Sequence, residues 1–325
     1  MKKRIISVLL ATVFALSVIG CGTKDTKEQD AYRQYGITCM ESGKYEDAVK
    51  AFQNALGESI GHIGEKELDI CFYKAKAQAL DGKTKDALAT YNAIIKYNKD
   101  ARAYYLRGDL YMDMGEEKKG RADFESAVQH GKKNYEIYIG IYESLSRHEK
   151  KDEGQKYLSA AMEIKGDKPE DELYKGRISY LLGENKDAIS YLEKAKEHKQ
   201  MLASYYLGLA YDANGDSDKA KKCIAEYIKS GVATSYDLYE LGMQEMQDGN
   251  YKNALTYFNS GLELEKVPNK QNLMKSAIAA YEYSGDFDSA KKMIKEYLKA
   301  YPDDEEAKHE NLSLIHISEP TRHSL

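Results

Sequence analysis

The chain has 325 residues, of which 31 % are charged and 42 % hydrophobic, and its formal net charge is −5 at pH 7. Charges so well mixed leave neither a nucleic-acid footprint nor a polybasic membrane patch. Length alone suggests two domains, a prior that an internal period overrides.

At the N-terminus, Lys2, Lys3 and Arg4 precede an apolar run from Ile5 to Ile19. The run is too short for a permanent span and has the layout of a secretory signal over residues 1–20. It ends in Val18-Ile19-Gly20-Cys21, which resembles the bacterial lipobox; a plain signal peptide with an incidental cysteine is the alternative. The resemblance implies that Cys21 is lipidated on its sulfur and becomes the first residue of the mature protein, with residues 21–28 as anchor and short linker. A diacylglyceryl group, with or without an amide-linked chain, supplies the two or more chains that stable anchoring needs. Gly22 follows in place of aspartate, so the inner-membrane retention signal of diderm bacteria is missing. The implied location is the outer face of the cytoplasmic membrane, or the outer membrane of a diderm host.

From Gln29 onward a period dominates. Ala48, Ala87, Gly120, Gly154, Ala188, Ala220, Ala254 and Ala290 recur about 34 residues apart, each followed four residues later by an apolar side chain such as Phe52, Phe124, Leu192 or Phe258. Five residues before most of them stands a glycine: Gly43, Gly82, Gly115, Gly183, Gly215, Gly249 and Gly285. Seven residues before that glycine lies another small residue, among them Gly36, Ala75, Gly108, Gly176, Gly208 and Gly242. The spacing predicts pairs of helices: the first ends at the glycine, and the second begins with acid that suits its dipole (Asp47, Asp86, Asp187, Asp218, Asp288). One such pair cannot bury its apolar face alone, so stacked neighbours must.

The segments "YYLRGDLY" (Tyr104 to Tyr111), "SYYLGLAY" (Ser204 to Tyr211) and "GKYEDAVKAFQNAL" (Gly43 to Leu56) resemble the tetratricopeptide repeat (TPR) family. The resemblance covers residues 29–302 in about eight units and implies an all-α, right-handed superhelical solenoid. Tryptophan is absent, and the fourth unit departs most, with Glu149 at the turn and Tyr142 where glycine is expected. In this family the first helix of each unit lines a concave groove and meets ligands at fixed places. Carried onto this chain, those places hold Arg33, Ile37, Met40 and Phe72, then Tyr105, Met112, Ile139, Leu173, Arg177 and Tyr180, then Tyr205, Leu209, Tyr239, Met243 and Met246. The resemblance thus implies a groove rich in Tyr, Met and aliphatic side chains, which suit rigid and adaptable contacts; the competing reading makes them core between repeats. The lysine and asparagine set with which some members clamp a chaperone's C-terminal carboxylate is not matched.

After Pro302, the run Asp303-Asp304-Glu305-Glu306 has capping-box spacing and starts a capping helix over residues 303–311. Residues 312–325 read as a non-native tail: Leu312 to Arg322 resembles a translated sequencing-library adapter and shows no helical period.

Catalytic patterns are absent. His62, His130, His148, His198, His309, His316 and His323 form no metal-binding pair on one helix face, and no phosphate loop or nucleophile elbow occurs. "DANGDSD" (Asp212 to Asp218) looks like a calcium loop, but Ser217 and Cys223 stand where that loop needs glycine and a bidentate acid. Cys39, Cys71 and Cys223 are odd in number and read as small buried apolar residues. Neither cofactor, metal, nucleic acid nor small-molecule substrate is expected. The sequence points to a membrane-anchored, non-catalytic scaffold that binds a protein or peptide. The alternatives are a chaperone-like factor delivering clients to an envelope complex and, behind it, a solute-binding lipoprotein, which would need strands.

Overall fold

The computed structural model describes residues 27–59, 63–166 and 168–318. The expected signal peptide, Cys21, His62 and His323 lie outside the described residues. Among the described residues there are seventeen helices and no strand. The chain divides into two compact units.

The unit of residues 23–232 holds α1 (Lys27–Glu41), α2 (Tyr45–Gly57), α3 (Glu65–Leu80), α4 (Thr84–Asn98), α5 (Ala101–Asp113) and α6 (Glu117–His130). It continues with α7 (Tyr135–Arg147), α8 (Lys151–Met162), α9 (Pro169–Leu182), α10 (Asn185–Glu197), α11 (Leu202–Ala213) and α12 (Ser217–Lys229). The unit of residues 233–325 holds α13 (Ser235–Gln247), α14 (Tyr251–Leu262), α15 (Lys270–Tyr283), α16 (Phe287–Ala300) and α17 (Glu305–Ser318). Each odd-numbered helix through α15 pairs with the one that follows it.

The turn inside each pair is made the same way every time. After α1, the Gly43 amide donates to the Met40 carbonyl at 3.1 Å and the Lys44 amide to the Cys39 carbonyl at 2.8 Å. That double bond, with Gly43 at φ 70°, is the Schellman closure of a helix C-terminus. The six-residue bond recurs from Lys83 to Gln78, Glu116 to Tyr111, Glu184 to Ser179, Asp216 to Tyr211, Asn250 to Glu245 and Asp286 to Tyr281. In the fourth pair Lys150 donates to Leu145, and the left-handed residue is Glu149 at φ 62°, so this turn survives without glycine.

Packing inside each pair explains the second small residue. A Cβ on Gly36 would lie 2.6 Å from the Phe52 ring, on Gly176 2.4 Å from Leu192, and on Gly242 2.3 Å from Phe258. The large partner from the second helix therefore fills the volume that glycine vacates. Phe52, Phe124 and Phe258 are fully buried, worth about 1.5–3 kcal/mol each. In the fourth pair the room comes from the small residue of the second helix instead. Tyr142 occupies the glycine position on α7, and the facing residue of α8 is Gly154, whose added Cβ would meet the Tyr142 ring at 3.0 Å. The departure seen in sequence is accommodated by Gly154, while Leu158 stays buried at the large position.

The end of the chain corrects one expectation. Helix α17 runs on to Ser318, past the boundary placed at Asn311. Leu314 falls seven residues after Ala307 and is buried with it against Met274, Ile278, Ile294 and Tyr297. The stretch therefore does carry a helical register. Its start is as expected, with the Asp304 side chain accepting from the Ala307 amide.

Candidate partner-binding surface

Most of the expected groove side chains are packing residues. Met112 (2 % exposed), Ile139 (0 %), Leu173 (8 %) and Tyr205 (9 %) are buried in the core. This corrects the reading of these four as surface contacts: each sits where neighbouring pairs press together, and an apolar side chain there gains more from its own core than from a partner. Tyr105 plugs against α7 so closely that a Cβ on Gly140 would lie 2.6 Å from its ring, and burial pushes its hydroxyl well above the usual phenol range. Tyr180 packs on the cluster around Leu192 and Ala203. Met40 and Ile37 lean on the cluster of Cys39, Phe52 and Ile70, while Phe72 packs beside Tyr91 and Ile94. In the unit of residues 233–325, Tyr239, Met243 and Met246 pack against Phe258 and Ala277.

What the first helices of residues 27–232 share is a line of polar contacts. Arg33 on α1 pairs with Asp69 on α3 at 2.6 Å, and its guanidinium lies 5.3 Å from the Tyr73 ring. The Arg102 guanidinium of α5 lies 4.6 Å over Phe72 of α3. From α7, Arg147 pairs with Asp109 of α5 at 2.5 Å, and the His148 Nε2 that follows it stands 3.2 Å from Asp113. Arg177 of α9 reaches back to Glu143 at 3.0 Å and Glu136 at 3.4 Å on α7, and its guanidinium lies 5.5 Å from the Tyr206 ring of α11. Charges and rings thus join six successive first helices.

Burial tunes this line. The Glu143 carboxyl is held above the usual carboxylate range because burial outweighs the Arg177 charge. Asp113 is raised as well, by burial and by the neighbouring Asp109, against Arg147 and His148. Lys76 of α3 is half-buried with no ion-pair partner within 4.0 Å among the described residues, and burial lowers its ammonium.

Sequence reasoning found Arg33 and Arg177 but missed Lys76, Asp109 and Glu143, although a signal was present. The register that lands on Ile37, Arg177, Leu209 and Met243, four residues after the preceding place, lands on Lys76, Asp109 and Glu143 in the other units. That register is charged in four successive first helices, positive at Lys76 and Arg177 and negative at Asp109 and Glu143.

Among the described residues no group of three or more His, Cys, Asp or Glu side chains could hold a metal ion. Asp216, in the stretch resembling a calcium loop, caps α12 by accepting from the Lys219 amide at 3.3 Å and pairs with the Lys219 ammonium. Cys39 and Cys223 are buried free thiols and Cys71 is half-buried. Depressions of about 210 Å³ and 290 Å³ lie beside Met274 and Met293 and beside Ser179 and Tyr191. No helix among the described residues is long and apolar enough to cross a membrane.

Models of the tetratricopeptide repeat match residues 101–129, 202–230 and 271–304. Among solved structures, a tetratricopeptide repeat protein from Parabacteroides merdae is similar, at 12 % identity and TM-score 0.46 over 78 % of this chain and 99 % of that one. PilW, a type IV pilus biogenesis factor, is 18 % identical with TM-score 0.43, over 64 % of this chain and 97 % of PilW. Cut9–Hcn1 of the APC/C is 16 % identical with TM-score 0.43, over 88 % and 55 %. No curated protein matches the sequence.

Proposed function

Because this chain is a tetratricopeptide-repeat protein, we propose that it is a non-catalytic scaffold holding an extended segment of one protein partner along the first-helix face of residues 27–232. The observation that carries this reading is the row Lys76, Asp109, Glu143 and Arg177, one residue from each of four successive first helices. Three of its members are satisfied within the protein, and Lys76 is left half-buried without a counter-charge. A partner carboxylate beside Lys76 would regain what the ammonium loses to burial. The half-buried Ile37 and Leu209, in the same row, give apolar edges to such a site.

The scaffold is held at the outer face of the cytoplasmic membrane by a lipid on Cys21. The cationic start, the apolar run to Ile19 and Gly20-Cys21 support this reading. Cys21→Ala should leave an uncleaved or soluble protein; partition into detergent at the normal mature mass would refute the anchor.

Photo-reactive residues in place of Ile37 and Leu209, crosslinked in intact cells and read by mass spectrometry, test the scaffold. One dominant partner is expected, and Lys76→Glu should weaken it about tenfold or more, as loss of a charge-assisted hydrogen bond worth ~1.5–3 kcal/mol requires. Capture of many unfolded clients would replace the scaffold by a delivery factor, and full affinity in Lys76→Glu would move the contact elsewhere.

A further inference from the structure

Helix α1 carries an exposed stripe that is sparsely charged. Glu28, Ala31, Tyr32, Tyr35, Thr38 and Ser42 follow one another at helical spacing, and all six are exposed. Only Glu28 among them is charged, in a chain where 31 % of residues are. Tyr32 is 37 % and Tyr35 57 % exposed. Gly36 and Cys39 are buried against α2, Cys39 one turn after Tyr35 at the margin of this face, while Arg33 and Asp30 turn to α3 through their ion pairs with Asp69 and Lys66.

The corresponding positions later in the chain show what this face is built for. Tyr32 and Tyr35 stand four and one residues before the small residue of their helix. Their counterparts are buried in four later first helices (Tyr138 and Ile141, Ser204 and Leu207, Leu238 and Leu241, Met274 and Ala277) and half-buried in the other three (Cys71 and Lys74, Tyr104 and Arg107, Glu172 and Lys175). Ile141, Leu207 and Met274 sit in clusters that include Ala127, Ala195 and Leu262 of the preceding pair. At α1 the same face stays open, and it bears tyrosine, whose ring is apolar and whose hydroxyl keeps a hydrogen bond with water or a headgroup.

We propose that this face of α1 rests on the outer surface of the bilayer that holds Cys21, with Tyr32 and Tyr35 seated at headgroup level. The proposal rests on the lipid-anchor reading. Five residues, Gly22 to Thr26, separate Cys21 from the first residue of α1. A chain spans at most ~3.3–3.6 Å per residue, so the helix start cannot lie more than about 20 Å from the lipidated sulfur's backbone. Such a tether turns a weak surface contact into an intramolecular one at high effective concentration. Tyrosine is the residue type that collects at this depth. The charges bordering the face around the start of α2, Lys44, Glu46, Asp47 and Lys50, sum to zero, and the exposed Lys27, Glu28 and Glu41 of α1 leave a net charge of only −1. The consequence is orientation: the array leaves the membrane from a seated first pair, and the first-helix ladder starts next to the bilayer.

The chain contains no tryptophan, so a single introduced one reports alone. The full-length lipidated protein carrying Tyr35→Trp is placed in phosphatidylcholine vesicles with or without bromine at the 6,7 positions of the acyl chains. Tyr283→Trp, at a position 68 % exposed on α15, is the comparison, and circular dichroism checks that both stay helical. The expected result is that emission from Tyr35→Trp shifts to the blue on the vesicles and is mostly lost in the brominated ones, while Tyr283→Trp keeps its emission. A lipidated, vesicle-bound Tyr35→Trp protein that stays unquenched overturns this proposal and leaves the anchor standing. A mature mass without diacylglyceryl, together with no vesicle association, overturns the anchor and this proposal with it. A blue shift that needs no vesicles and grows with protein concentration overturns it in favour of a second copy covering the face.

Discussion

Replacing Arg177 by methionine removes the charge that two carboxylates share. Its side chain is 16 % exposed, against 27 % for Glu136 and 23 % for Glu143. Breaking a buried pair by removing one partner costs about 3–5 kcal/mol, and the residual solvent at all three groups brings the expectation to about 2–4 kcal/mol at pH 7. Within a folded unit of this size that is roughly 5–15 °C in Tm. The loss should depend on pH in a stated direction. Glu143 is already raised above the ordinary carboxylate range by burial, and the Arg177 charge is the main opposition to that rise. A carboxyl raised in the folded state binds its proton more tightly there than when unfolded, so its ionisation costs stability as pH climbs from the unfolded value through the folded one. Without Arg177 that window widens upward, and stability should recover on going from pH 7 to pH 5. Melts of wild type and Arg177→Met at both values, with hydrogen exchange to localise the change to α7, α9 and α11, give the test. Equal losses at the two pH values, or no relief from adding Glu143→Gln, would refute the electrostatic account and leave only lost packing of the Arg177 stem.

Three further outcomes follow from the geometry. Glu149→Gly should raise Tm, since a left-handed φ of 62° costs a non-glycine residue about 1–2 kcal/mol; an unchanged or lower Tm counts against the strain at that turn. Gly242→Val should overpack Phe258, whose ring is 2.3 Å from an added Cβ, for about 1–3 kcal/mol, and adding Phe258→Ala should return part of it in a double-mutant cycle. Glu310 on α17, half-buried and facing Glu282, Glu306 and Lys275, is pushed up to about 7, so the docking of α17 should strengthen as pH falls from 8 to 5, read as slower intrinsic-corrected amide exchange, and Glu310→Gln should flatten that dependence.

The fold was legible in the sequence because its determinants are local and repeated. A glycine closing a helix and a small residue under a large one are requirements of backbone angle and volume, and each shows as a residue type at a fixed spacing. Gly36 with Phe52 and Gly242 with Phe258 could be paired on paper, and so could the turn at Gly43. The fourth pair looked degenerate only because Tyr142 and Gly154 had to be read together. The binding surface was less legible, for a physical reason. Apolar side chains on a first helix have two possible burials, against the next pair or against a partner, and spacing does not separate them. Ile139 and Tyr205 went to the core because stacking happens within the chain at no translational cost. Charged side chains such as Lys76 lack that ambiguity, since the core penalises them unless they are paired. An uncompensated, half-buried charge is therefore the better mark of a surface that expects company, and in a stacked array the search for partners should begin with the ions left unmatched.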